Sequence, residues 1–128
     1  MKQHILVVDD EAQVRDLLAL YFRKHGYELS TASTSSETLA KVAAQPPDLV
    51  VLDIGLDQED GLKLLETLKR SYAQIKVVML TGMGFVEELL QEAQQKGADG
   101  YVSKVLPLDE LLATVEQVLK PVPLDSSA

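Results

Sequence analysis

The chain has no cysteine, so it can have no disulfide framework, no thiolate zinc site and no cysteine nucleophile. That absence fits a reducing compartment. Positive charge is scarce as well: 12 Lys and Arg stand against 20 Asp and Glu, a formal net charge of −8. Nucleic-acid binding rests on neutralising phosphates with a basic face, and this balance argues against it. Long hydrophobic runs are missing too. The longest early run, Ile5 to Val8, is followed at once by two aspartates and is far too short for a signal peptide or a membrane span. There is no internal repeat and no low-complexity segment. The 128 residues, 46% of them apolar, suffice for one core and exclude disorder as the main state. A small, acidic, soluble domain of the cytoplasm is expected.

Three short runs are bare of polar residues: Ile5-Leu6-Val7-Val8, Leu49-Val50-Val51-Leu52 and Val77-Val78-Met79-Leu80. Branched, non-alternating runs of this kind mark strands buried on both faces. Glu28 to Ala32 and Tyr101 to Ser103 are weaker strand candidates, placed by their position in the alternation. Five amphipathic stretches follow the strands. In the first, Val14, Leu17, Leu18, Tyr21 and Phe22 fall at helical spacing, and Gly26 supplies the stop. Thr34 to Glu37 has the spacing of a capping box for the second helix, which must end before Pro46-Pro47. Leu62, Leu65 and Leu68 mark a third helix after Gly61, and Leu89, Leu90 and Ala93 a fourth closed by Gly97. Leu108 to Val118 form a fifth, opened by Pro107. Five strands, each followed by a helix, predict an α/β fold with a parallel, doubly wound sheet. Residues 1–120 form the expected domain, and 121–128 a flexible tail or linker.

Ligands of open α/β sheets gather outside the carboxyl ends of the strands. The first strand ends in Asp9-Asp10-Glu11, the third in Asp53, the fourth in Thr81 and the fifth, after Ser103, in Lys104. Seven of the twenty acids lie in segments 9–11 and 53–60, which leave the same edge of the sheet. Converging carboxylates must protonate or find a cation, and a hard cation such as Mg²⁺ suits them. Neither His4 nor His25 lies at a strand's carboxyl end, which disfavours zinc or nickel. A metal and Lys104 would hold a phosphoryl group, Thr81 and the Gly82 amide would offer contacts, and one carboxylate would be the nucleophile. Singly, each residue has a plainer reading. An Asp at a strand end is commonly a turn residue or a helix cap, and Asp57, Glu59 and Asp60 read as a solvated loop. The combination is far more specific than its members.

These motifs resemble the receiver domain of two-component response regulators over residues 3–120. Val7-Val8-Asp9-Asp10-Glu11 is similar to that family's acidic pair, and Leu52-Asp53-Ile54 with Gly61, eight residues beyond Asp53, to its phosphoacceptor segment. Met79-Leu80-Thr81-Gly82 and Gly97 to Lys104 are similar to its later motifs. The resemblance implies a flavodoxin-like receiver fold with strand order 2-1-3-4-5. It implies that Asp53 is phosphorylated, and that Asp9, Asp10, Asp53 and the Gly55 carbonyl hold Mg²⁺. Lys104 would pair with phosphoryl oxygens, while Thr81 and Tyr101 would switch the face made by the fourth helix, fifth strand and fifth helix. The implied partners are a sensor histidine kinase or histidine phosphotransfer protein and a downstream effector, without nucleic acid or membrane. The domain would be no enzyme beyond self-phosphorylation and autodephosphorylation.

Three departures from the family pattern stand out. Asp57 and Val105 occupy positions where proline is usual, and the stretch from Thr81 to Tyr101 is about one residue longer. With valine at 105 a cis peptide would cost about 2.5–4 kcal/mol, so a trans Lys104–Val105 bond is expected. A phosphatase of the haloacid dehalogenase type would need a second Asp where Gly55 stands. A flavin binder would need a Ser/Thr/Gly-rich loop in place of the first acids. A degenerate receiver serving only as an interaction module is disfavoured by the full set of site residues.

Overall fold

The computed structural model describes residues 2–56, 60–82, 87–103 and 108–120. The elements alternate throughout: β1 (His4–Val8), α1 (Ala12–Lys24), β2 (Glu28–Ala32), α2 (Ser35–Ala44), β3 (Leu49–Asp53), α3 (Gly61–Ser71), β4 (Lys76–Thr81), α4 (Glu87–Gln95), β5 (Gly100–Ser103) and α5 (Leu108–Leu119). The strands form one parallel sheet in the order β2-β1-β3-β4-β5. The three bare apolar runs became its three inner strands, and the two weaker candidates its edges.

Alternation sorts each inner strand between two cores. Leu6, Val8, Val50, Leu52, Val77 and Met79 meet Val42 of α2, the α3 leucines and Ala93 of α4 on one face. Ile5, Val7, Leu49, Val51, Val78 and Leu80 meet Leu18 and Phe22 of α1 and Leu111 and Val115 of α5 on the other. Truncating a fully buried leucine such as Leu65 in this setting costs about 2–5 kcal/mol.

Leu17 departs from the sequence expectation. It is 52% exposed and Leu20 59%, while Leu18, Ala19 and Phe22 turn inward. Apolar residues surround most of α1, so spacing alone does not choose the buried side. Packing does: Phe22 lies edge-on to Tyr27, ring centroids 5.9 Å apart, beneath the sheet.

Local signals end and begin the helices as expected. Gly26 and Gly97 take φ of 91° and 100° after α1 and α4. Thr34 accepts the Glu37 amide at 3.1 Å, and the Glu37 carboxylate accepts from the Ser33 amide at 2.7 Å. The capping box therefore closes one residue earlier than its usual form. At α3 the cap is Asp60, whose carboxylate accepts the Leu62 amide at 2.9 Å, so this acid is a helix cap as well as a loop residue.

Two aspartates extend the sheet beyond its amino end. Asp48, just before β3, donates its amide to the His4 carbonyl (2.8 Å) and accepts the His4 amide on its carboxylate (2.7 Å). Asp99, just before β5, repeats the arrangement with Val77 at 2.8 and 2.9 Å. The Asp99 carboxylate also pairs with Lys69 at 2.7 Å, and Lys69 donates to the Ile75 carbonyl at 2.9 Å.

Along β2, Glu28 and Ala32 bond toward β1, so the intervening Leu29 and Thr31 turn their carbonyls to the open side. Arg23 reaches the first at 3.5 Å, and the Lys41 ammonium donates to the second.

Candidate functional site

Val8 pairs with Leu52, so Asp9 follows β1 at the level where Asp53 ends β3. Leu80 lies opposite Asp53, and Thr81 lies opposite Ser103. A polar row thus runs across the carboxyl edge of four strands. Asp9, Asp53, Thr81 and Ser103 are all at most 3% exposed, among the few buried polar side chains in the described residues. The row crosses the gap between β1 and β3, where the winding of the sheet reverses and a crevice opens.

Asp9, Asp10 and Asp53 each offer a carboxylate oxygen, and the three oxygens lie within 4.8 Å of one another. One Asp9 oxygen accepts the Glu11 amide at 2.9 Å, and one Asp53 oxygen accepts the Gly55 amide at 3.0 Å. Both acids use the same short turn, in which the side chain binds the amide two residues on. Arg15 donates to the Asp9 carbonyl at 2.7 Å, and the Asp9 amide donates to Ala32 at 3.1 Å.

Gly61 fixes the other side of the crevice. Its amide donates to the Ile54 carbonyl at 3.1 Å. A Cβ at this position would sit 2.4 Å from the Asp53 carbonyl oxygen and 2.7 Å from that of Ile54. Only glycine lets the first turn of α3 close on the backbone that carries Asp53.

Three crowded carboxylates repel each other unless a cation enters. The starts of α1 and α3 face the same end of the sheet, and their partial positive charge offsets part of that repulsion. The donor set is all oxygen and carries several negative charges. It fits a hard divalent cation such as Mg²⁺ and does not fit zinc, which favours nitrogen and sulfur.

The structure thus brings together Asp9, Asp10 and Asp53, with Thr81 buried at the same edge and Gly55 hydrogen-bonded to Asp53. Tyr101 is half-buried and packs against the core on the α3–α4 side. It lies opposite Met79, two residues before the Thr81–Ser103 pair and on the same face of the sheet. Lys104, Asp57, the Lys104–Val105 peptide and the tail from Pro121 fall outside the described residues. Arg15, by contrast, reads in the sequence as one of several polar residues on α1, with no motif to mark its contact with Asp9.

Among the described residues no helix is long and apolar enough to cross a membrane. Residues 5–116 match the family model described as the response regulator receiver domain. The chain is 36% identical over 122 residues to the nitrogen assimilation regulatory protein NtrX of Azorhizobium caulinodans, covering 94% of this chain and 27% of that protein. It is 33% identical over 119 residues to sporulation initiation phosphotransferase F of Bacillus subtilis, covering 93% of this chain and 95% of that protein. The chain therefore spans about a quarter of one relative and nearly all of the other. Among solved structures, the receiver domain of NtrX from Brucella abortus superposes with a TM-score of 0.85 at 37% identity, over 92% of this chain and 99% of that one. A CheY-like receiver domain protein of Methanospirillum hungatei gives 0.87 at 30% identity, over 93% and 94%. With the acidic crevice at the carboxyl edge of a 2-1-3-4-5 sheet, these likenesses make the chain a member of the response regulator receiver family, the phosphoacceptor domains of two-component signalling.

Proposed function

We propose that Asp53 accepts the phosphoryl group. The observation that carries this is its burial at the end of β3 with carboxylate oxygens of Asp9 and Asp10 within 4.8 Å. The N–P bond of a donor phosphohistidine breaks and its electron pair stays on the imidazole, while an Asp53 carboxylate oxygen forms the new O–P bond. An acyl phosphate reacts likewise, its carboxylate leaving. Autodephosphorylation reverses the modification: water oxygen forms a bond to phosphorus, the Asp53 O–P bond breaks with its electron pair returning to the carboxylate, and inorganic phosphate leaves.

Receiver domains typically bind Mg²⁺ in an acidic pocket. Here Asp9, Asp10, Asp53 and the Gly55 carbonyl would hold it, and the ion would supply positive charge and orientation for the phosphoryl oxygens. The Gly55 amide holds one Asp53 oxygen in place, and burial keeps bulk water from the nucleophile. Lys104 would pair with phosphoryl oxygens from the segment after β5.

Thr81 turns its hydroxyl to the phosphoryl group, and the Tyr101 ring enters the space vacated. Their position on one face of the sheet supports this switch. It would alter the face formed by α4, β5 and α5, where an effector domain or protein is read out. The donor is a sensor histidine kinase or histidine phosphotransfer protein, and the setting is the cytoplasm, without contact to nucleic acid or membrane.

Intact-mass measurement after treatment with acetyl phosphate tests the assignment. The wild type gains one phosphoryl group only with Mg²⁺ present, and Asp53→Ala gains none. Equal uptake by the two proteins would overturn it.

A further inference from the structure

Arg15 lies in the first turn of α1, its amide bound to the Glu11 carbonyl at 3.1 Å, and its side chain folds back over the turn that leaves β1. The guanidinium donates to the carbonyl oxygen of Asp9 at 2.7 Å, a short, charge-assisted bond from a half-buried side chain. Asp9 is thereby held from three sides: its amide by Ala32 of β2, its carbonyl by Arg15 of α1, and one carboxylate oxygen by the Glu11 amide. Asp10 follows Asp9 directly, so whatever fixes the Asp9 carbonyl also fixes the peptide plane from which Asp10 departs.

Two other helices that begin at this edge are anchored differently. α2 and α3 start on side chains, Thr34 and Asp60, that accept the amides of their own first turns. At α1 the Glu11 amide is taken from outside the helix, by Asp9. The turn is therefore organised around Asp9, and Arg15 is the side chain of α1 that closes it. The guanidinium also stands near α2. The Glu37 carboxyl is held below the usual carboxylate range chiefly by the Ser33 amide, and Arg15 contributes a smaller part.

We propose that Arg15 is a positioning residue for the divalent cation, holding the turn after β1 so that the Asp9 and Asp10 carboxylates are preset for it. This rests on the reading of Asp9 and Asp10 as metal ligands. Groups that orient the ligands of a metal typically change its affinity by about 10–100-fold when removed. Because this contact reaches the ligand through its backbone, the low end is expected here.

The test measures Mg²⁺ affinity of the unphosphorylated protein from the backbone amide shifts of Glu11 and Gly55. Arg15→Met, which keeps the stem and removes charge and donors, is expected to weaken Mg²⁺ about tenfold. Arg15→Lys, which keeps the charge and can still donate one bond, should fall between it and the wild type. At saturating Mg²⁺ the rate of phosphoryl uptake from acetyl phosphate should return to the wild-type value in both, because Asp53 is untouched. Unchanged affinity in Arg15→Met would leave the residue a structural tie alone and overturn the proposal. Tighter binding would overturn it as well, since a side chain acting only as a nearby positive charge repels Mg²⁺. If Arg15→Met fails to fold, Arg15→Lys decides, with wild-type affinity counting against the proposal. Asp10→Asn separates the two readings. Unchanged Mg²⁺ binding in that variant would remove the ligand assignment itself, whatever the Arg15 series shows.

Discussion

The two ends of the sheet use aspartate in opposite ways. At the amino end Asp48 and Asp99 each sit one residue before a strand and exchange two hydrogen bonds with the first residues of its neighbour. Their carboxylates are acceptors for amides that the ladder leaves over, and Lys69 neutralises the second of them. At the carboxyl end Asp9 and Asp53 each give one oxygen to a local turn, and carboxylate oxygens of both lie within 4.8 Å of one from Asp10. The first pair adds cohesion. The second group stores repulsion that an incoming cation relieves. What separates them is direction: strands begin with amides that need acceptors, whereas the carboxyl end is met by helix N-termini that tolerate anions.

Gly61→Ala should break this comparison most severely. The added methyl meets the Asp53 and Ile54 backbone, so α3 or the end of β3 must shift, at about 3 kcal/mol. Thermal unfolding should show that loss, and phosphoryl uptake should slow with it. A variant as stable and reactive as the wild type would mean that α3 does not fix Asp53.

Asp99→Asn and Asp10→Asn, made in parallel, should move stability in opposite directions. Asp99→Asn removes the ionic partner of Lys69, which is 16% exposed, and should cost about 1–3 kcal/mol with uptake unchanged. Asp10→Asn relieves like-charge repulsion and should raise metal-free stability by about 1 kcal/mol while weakening Mg²⁺. Denaturant unfolding without Mg²⁺ checks both. The same sign at both ends would erase the distinction.

The smallest effect belongs to Glu37. Its bond from the Ser33 amide depresses its pKa below 4.5 in the folded protein. That contribution is present above about pH 4.5 and is lost as pH falls through the depressed value. Glu37→Gln should therefore flatten the acid side of the stability profile by a few tenths of a kcal/mol, since the side chain is exposed. An identical profile in the variant would show that the cap carries no such dependence.

Legibility in the sequence followed the range of the interactions. The inner strands were readable because burial on both faces leaves unbroken apolar runs, and Asp9, Asp10, Asp53 and Thr81 because a strand end is a place that can be found by counting. Leu17 was misplaced because α1 is apolar around most of its circumference, so only tertiary packing selects the buried side. Arg15 and Asp48 left no trace in any pattern, and Asp99 stood inside the Gly97–Lys104 motif with nothing to mark its contact with β4. Each acts on a backbone group of another element or turn, and backbone groups are the same at every position.

Arg23 and Lys41, which reach the outward carbonyls of Leu29 and Thr31, make the β2 margin a poor template for another strand. A chain approaching that side must displace two cationic side chains before it can register with the backbone. Cationic side chains of this kind are a common guard on an open sheet edge against pairing with a foreign strand.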